Sequence, residues 1–135
     1  MLFSVHDDSI DLENLIENRC GRVYSFIERI RKQIFGSSKY ELVSIYPEKK
    51  NLSIDNYSDS IYLNFDLRLK GLVFYFRYKN TEYVEFCSYN QLSFQTSDNV
   101  FTLQTDKYHY KFQIINLKSH YNFLKKLYEH KTRKN

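Results

Sequence analysis

From Ile61 onward the chain alternates. Ile61, Leu63, Phe65, Leu67 and Leu69 are apolar, and Tyr62, Asn64, Asp66, Arg68 and Lys70 between them are mostly polar. A period of two puts successive side chains on opposite faces of an extended strand, one buried and one wet. Lys70-Gly71 interrupts the pattern, and Leu72, Phe74, Phe76 and Tyr78 resume it. A two-residue loop there sets Leu69 opposite Leu72, Leu67 opposite Phe74 and Phe65 opposite Phe76, which are all apolar pairs. In the next hairpin a three-residue loop, Lys79-Asn80-Thr81, sets Phe76 opposite Val84 and Phe74 opposite Phe86. Asn80 or Thr81 then takes the left-handed conformation, which Asn tolerates better. Leu92 and Phe94 mark a further strand, with Thr96-Ser97-Asp98-Asn99 as the turn after it. The last hairpin turns at Thr105-Asp106 and pairs Leu103 with Tyr108 and Phe101 with Tyr110.

Helices flank this ladder. Leu12, Leu15, Ile16, Val23, Ile27, Ile30 and Ile34 fall on one stripe at spacings of three and four. Acidic residues lead the stripe and Arg29, Arg31 and Lys32 close it, as the helix dipole favours. Gly36 is a natural stop, and Gly21 marks a kink or a break near Cys20-Gly21. Residues 1–8 read as loosely ordered. Tyr40 to Tyr46 is a strand ended by Pro47, and Glu48 to Asp59 is the longest loop. Asn116 caps a second amphipathic helix that carries Leu117, Tyr121, Leu124 and Tyr128, with Phe123 and Leu127, and runs to about His130. The expected fold is a single α+β domain over residues 1–135. It is an antiparallel meander sheet or partly closed barrel of six to seven strands, with an N-terminal helix and a C-terminal amphipathic helix.

Composition sharpens this picture. There is no Ala and no Trp, with Tyr 13 and Phe 11, so the core has to be built from rings and branched aliphatics. Net charge is +4, but it is unevenly spread. Asp7, Asp8, Asp11, Glu13 and Glu17 crowd the start, while Lys125, Lys126, Lys131, Arg133 and Lys134 crowd the end. A basic end suits an anionic partner, or is simply a solvated helix face. Cys20 and Cys87 match no zinc or redox spacing and read as two reduced thiols. Asp7 and Asp8 come too soon after Met1 for a signal peptide, and no apolar run is long enough to span a bilayer. A cytoplasmic protein is expected.

Chemistry is sparse. The phosphate-loop, dinucleotide, HExxH and GxSxG patterns are all absent. His109, Lys111 and His120 are the one acid–base set that can be assembled for RNA cleavage, and their spacing carries no specificity. No metal site, no cofactor and no catalytic residue are expected. Tyr75, Arg77 and Lys79 alternate on the wet parity of one strand, and His109 and Lys111 on another. Such interleaving can hold single-stranded nucleic acid, but here most aromatics fall on the buried parity, so nucleic acid is disfavoured.

The strand order closed by one helix resembles a pleckstrin-homology-like domain of the short bacterial kind. The likeness covers Tyr40 to Glu129 and rests on Tyr83 to Tyr89, Phe101 to Thr105, Tyr110 to Ile114 and Phe123 to Leu127. It implies an adaptor for lipid or peptide. Lipid-binding members cluster basic residues in the loop between their first two strands, whereas here Lys49 and Lys50 sit beside Glu48, Asp55 and Asp59. The N-terminal helix is also extra to that pattern. In size, composition and lack of catalytic motifs the chain is also similar to bacterial immunity proteins, which neutralise toxins.

The sequence reading is therefore a non-enzymatic protein-binding module, an immunity-type inhibitor that blocks a partner toxin. The alternative is a pleckstrin-homology-like adaptor. Candidate partner-binding residues are Tyr75, Arg77, Lys79, His109, Lys111, Lys125 and Lys126. A membrane surface is a lesser candidate partner, and the sequence sets no oligomeric state.

Overall fold

The computed structural model describes residues 1–32 and 36–133. The fold is α+β, with three helices and two antiparallel sheets that do not close into a barrel. The strands are β1 (Leu2–Ser4), β2 (Tyr40–Tyr46), β3 (Tyr62–Leu63), β4 (Phe65–Leu67), β5 (Gly71–Tyr78), β6 (Thr81–Ser88), β7 (Ser93–Ser97), β8 (Val100–Gln104) and β9 (His109–Ile114). The helices are α1 (Leu12–Cys20), α2 (Phe26–Lys32) and α3 (Leu117–Thr132). One sheet has the order β1-β6-β5-β4 and the other β3-β2-β9-β8-β7. No helix among the described residues is long and apolar enough to cross a membrane.

The alternating run from Ile61 to Leu69 forms two strands, not one. Asn64 lies between them and donates to the Ser37 carbonyl at 2.8 Å, while the Phe65 amide donates to Ser37 Oγ at 2.7 Å. The chain thereby leaves one sheet, where Leu63 pairs with Tyr40, and enters the other, where Phe65 pairs with Phe74. A strand that changes sheet in this way makes the corner of a sandwich.

The inner faces meet in an aromatic core, as a chain without Ala requires. Phe65 lies 5.0 Å from Phe112 and 5.2 Å from Phe74, both edge-on, and stacks on Phe123 of α3 at 5.3 Å. Each such pair adds about 0.5–1.5 kcal/mol beyond simple burial. A bulge between Leu42 and Ser44 leaves Val43 exposed and keeps Tyr40, Leu42 and Ile45 inward.

Three registers differ from the sequence expectation. Leu67 pairs with Leu72 and Phe65 with Phe74, so the loop is longer by two residues and Leu69 is exposed. Leu103 pairs with Tyr110 and Phe101 with Phe112, again a slip of two. Both slips keep the buried parity. The hairpin between them slips by one. Tyr78 pairs with Thr81 and Phe76 with Tyr83, and Lys79, not Asn80 or Thr81, takes the positive φ of 55°. A one-residue slip turns a strand over. Val84 and Phe86 therefore face outward onto α1, with Val73, Ile16 and Cys20, while Tyr83 and Cys87 belong to the inner core.

Near the N-terminus, residues 2–4 are a strand on β6 where loose structure was expected. The turn before β8 is Asp98-Asn99 alone, with Thr96 and Ser97 still in β7. The long N-terminal stripe divides at Gly21, whose φ is 89° and whose amide closes α1 on the Glu17 carbonyl at 2.8 Å. Ile34 of that stripe and Lys134 of the basic tail lie outside the described residues.

Candidate functional site

α1 sets the geometry of the outer face of the four-stranded sheet. The Asp11 side chain caps it by accepting from the Asn14 amide, and its apolar side lays Ile16 and Cys20 against Val73, Val84 and Phe86. Beside that contact α1 stands away from the strands, leaving a cleft of about 340 Å³. Its apolar lining comes from Val5, Leu12, Ile16, Val23 and Val84. Tyr75 stands within it, 42% exposed and paired across the strands with Val84.

Glu13 and Glu17, one helical turn apart, put two carboxylates on one wall. Arg68 faces them from the other elements and is itself held, donating from Nε to Asp66 Oδ2 at 3.1 Å and from a terminal nitrogen to the Gly21 carbonyl at 3.2 Å. An apolar floor, a phenol and an acidic rim suit an inserted apolar or aromatic side chain flanked by a cation.

The sequence-predicted residues do not form one surface. Tyr75 and Arg77 share the outer face of the four-stranded sheet, where Arg77 pairs with Glu82 at 3.5 Å. Lys79 sits in the β5–β6 turn, its ammonium 5.4 Å from the Tyr78 ring. There it lines a second, more open cleft of about 840 Å³ with Lys49 and Lys50, which the sequence places far away. His109 and Lys111 point outward from the five-stranded sheet, because Tyr110 and Phe112, which alternate with them, point in. They occupy the opposite outer face of the sandwich, with the His109 ring 6.5 Å from Tyr46. On α3, Lys125 is exposed, while Lys126 donates to the Lys32 carbonyl at 3.3 Å and lies 3.9 Å from Glu129.

The acid–base set is divided too. His109 faces solvent, and His120 is fully buried between Tyr40 and Thr96, 2.5 Å and 2.8 Å from its two ring nitrogens. Burial pulls the His120 pKa down to about 4, so its ring is neutral at pH 7. Burial likewise pushes the Cys20 thiol up to about 12 and Cys87 up to about 11, and both are free thiols. Neither has the thiolate character that reactivity requires.

Sequence reasoning missed one buried polar centre. Glu85 is 1% exposed on the inner side of β6, accepting from the Tyr110 hydroxyl at 2.7 Å and from the Met1 amine at 2.9 Å. Burial raises its pKa, and the amine and phenol oppose that rise. The only signal in the sequence was a carboxylate inside an apolar run. Among the described residues no group of His, Cys, Asp or Glu side chains is arranged to hold a metal ion. No protein-family model, curated protein or solved structure matches this chain.

Proposed function

We propose that this protein is a non-enzymatic protein-binding module, and specifically an immunity-type inhibitor that holds a partner toxin through the Tyr75 cleft. The observation that carries the reading is the cleft itself. A half-exposed tyrosine over an apolar floor, on a rigid sheet backed by an aromatic core, has the make-up of an interface anchor. Glu13 and Glu17 on its wall favour a partner side chain bearing positive charge.

The first partner to test is the product of the reading frame beside this one. Co-expression should relieve the growth arrest caused by that product, and the two proteins should co-purify as a complex. Unrelieved arrest with no complex contradicts the immunity reading.

A second reading has its own observation. From β2 to α3 the chain runs through a strand meander closed by a helix, which supports the pleckstrin-homology-like adaptor. Lys79 joins Lys49 and Lys50 around the larger cleft, with Tyr78 and Tyr83 in its lining. Three cations there suit an anionic ligand more than the sequence suggested, although Glu48 lines the same cleft. Binding that Lys79→Glu abolishes and Tyr75→Ala leaves intact would favour this reading.

A further inference from the structure

A third cleft, of about 320 Å³, opens where the C-terminal ends of α1 and α3 meet the β4–β5 turn and the 3-10 turn Tyr89–Gln91. Arg19, Lys70, Lys131 and Arg133 line it with Ser88 and Asn90, and none of its lining residues is an Asp or Glu. We propose that this cleft is a binding site for a phosphate group.

Four cations from three elements converge here, and none is in an ion pair among the described residues. Lys131 and Arg133 lie at the end of α3, where the helix dipole alone would favour cations. That does not account for Arg19 and Lys70, which come from α1 and a turn. The Lys131 ammonium is fixed in place, donating to the carbonyls of Tyr89 at 2.7 Å and Leu92 at 2.5 Å. Two of its three N–H groups are thereby used and one is left for a ligand.

Neutral donors complete the set. Ser88 Oγ donates to Asn90 Oδ1 at 2.7 Å, which engages the amide oxygen and leaves the N–H groups of this lining residue to donate to a ligand. Arg19 is steadied by Gln91 at 3.4 Å. Unbalanced positive charge in a concave site, with positioned N–H donors, attracts a dianion more strongly than a chloride. The phosphate can belong to a soluble ester or to a lipid headgroup, and the chemistry of recognition is the same.

The test is amide NMR of the folded protein titrated with inorganic pyrophosphate, alongside sedimentation with phosphatidylcholine vesicles carrying phosphatidic acid. Saturable shifts confined to Lys70, Ser88, Asn90 and Lys131 are expected. They should be lost, with affinity at least about tenfold weaker, in the exposed double variant Lys70→Glu with Arg133→Glu. Lys79→Glu, in the other basic cleft, should leave them unchanged. Binding to pyrophosphate and not to vesicles assigns a soluble ligand, whereas headgroup-selective sedimentation that the double variant abolishes assigns a lipid. Absence of both, shifts centred on Lys49 and Lys79, or binding unaltered in a folded double variant overturns the proposal.

Discussion

The Tyr40 hydroxyl lies 2.5 Å from His120 Nδ1, inside the core, and ties the first long strand to the C-terminal helix. Thr96 Oγ1 takes the other ring nitrogen at 2.8 Å, so one buried imidazole joins β2, β7 and α3. Either hydroxyl can donate or accept, so what holds the ring neutral is burial, which disfavours its charged form.

Stability should therefore fall on mild acidification. Between about 6.5, the ordinary histidine value, and about 4 the unfolded chain binds a proton at His120 and the folded one does not. Where the unfolded state holds more protons, unfolding becomes easier as pH drops. His130, whose pKa burial also lowers, adds to the same trend, while the raised Glu85 opposes it. Urea unfolding of wild type and His120→Phe between pH 7.5 and pH 4 checks this, with both midpoints read against pH. The variant should lose less stability over that window, although it starts lower for want of the two hydrogen bonds.

Gly71→Ala should be among the most damaging small substitutions. A Cβ there would stand 2.5 Å from both Cys20 Sγ and the Cys87 carbonyl oxygen, and the latter is backbone that cannot swing away. A cost of about 2–3 kcal/mol or more is expected, measured by chemical denaturation. Gly71→Ala within about 0.5 kcal/mol of wild type would mean that α1 does not seat on β5 as described.

Much of the sheet was legible from alternation alone, and the failures have a common cause. Slips of two at the β4–β5 and β8–β9 hairpins leave parity intact, so Phe65, Phe74, Phe101 and Phe112 are buried as expected despite the wrong partners. β6 could not be oriented that way, because Tyr83, Val84, Glu85, Phe86 and Cys87 are all buried. A strand covered on both faces has no wet parity to read. α1 supplies the second cover, and nothing in the local sequence of β6 announces a helix that precedes it by some sixty residues. The candidate site was partly legible for the same reason. Tyr75 and Arg77 are on the wet parity as predicted, but the cleft around Tyr75 is made by Leu12, Ile16 and Val23 from distant sequence.

The register of β6 can be tested energetically. Phe74→Ala and Phe86→Ala should each cost about 3–5 kcal/mol, as large aromatic truncations in cores do. Their pairing partners distinguish the two registers. Phe86 packs with Ile16 in the cluster under α1, so Phe86→Ala and Ile16→Ala should couple by about 0.5 kcal/mol or more. Phe86→Ala and Phe74→Ala lie on opposite faces and should be nearly additive. Strong coupling of Phe74 to Phe86 would restore the register in which they face each other.

Tyr75→Ala should leave the fold almost unchanged, because the ring is half-exposed and outside the core clusters. A loss of stability below about 1 kcal/mol by thermal or chemical unfolding is expected. That separation makes Tyr75 a clean probe of binding.

Calorimetric titration of the neighbouring reading frame's product with wild type, Tyr75→Ala and Lys79→Glu tests the central claim most directly. Protein binding through the α1–β5 cleft predicts that Tyr75→Ala weakens affinity by about tenfold or more, equivalent to about 1.4 kcal/mol, while Lys79→Glu stays within about twofold of wild type. Wild-type affinity retained by a folded Tyr75→Ala, or no association by the wild-type protein, would contradict it.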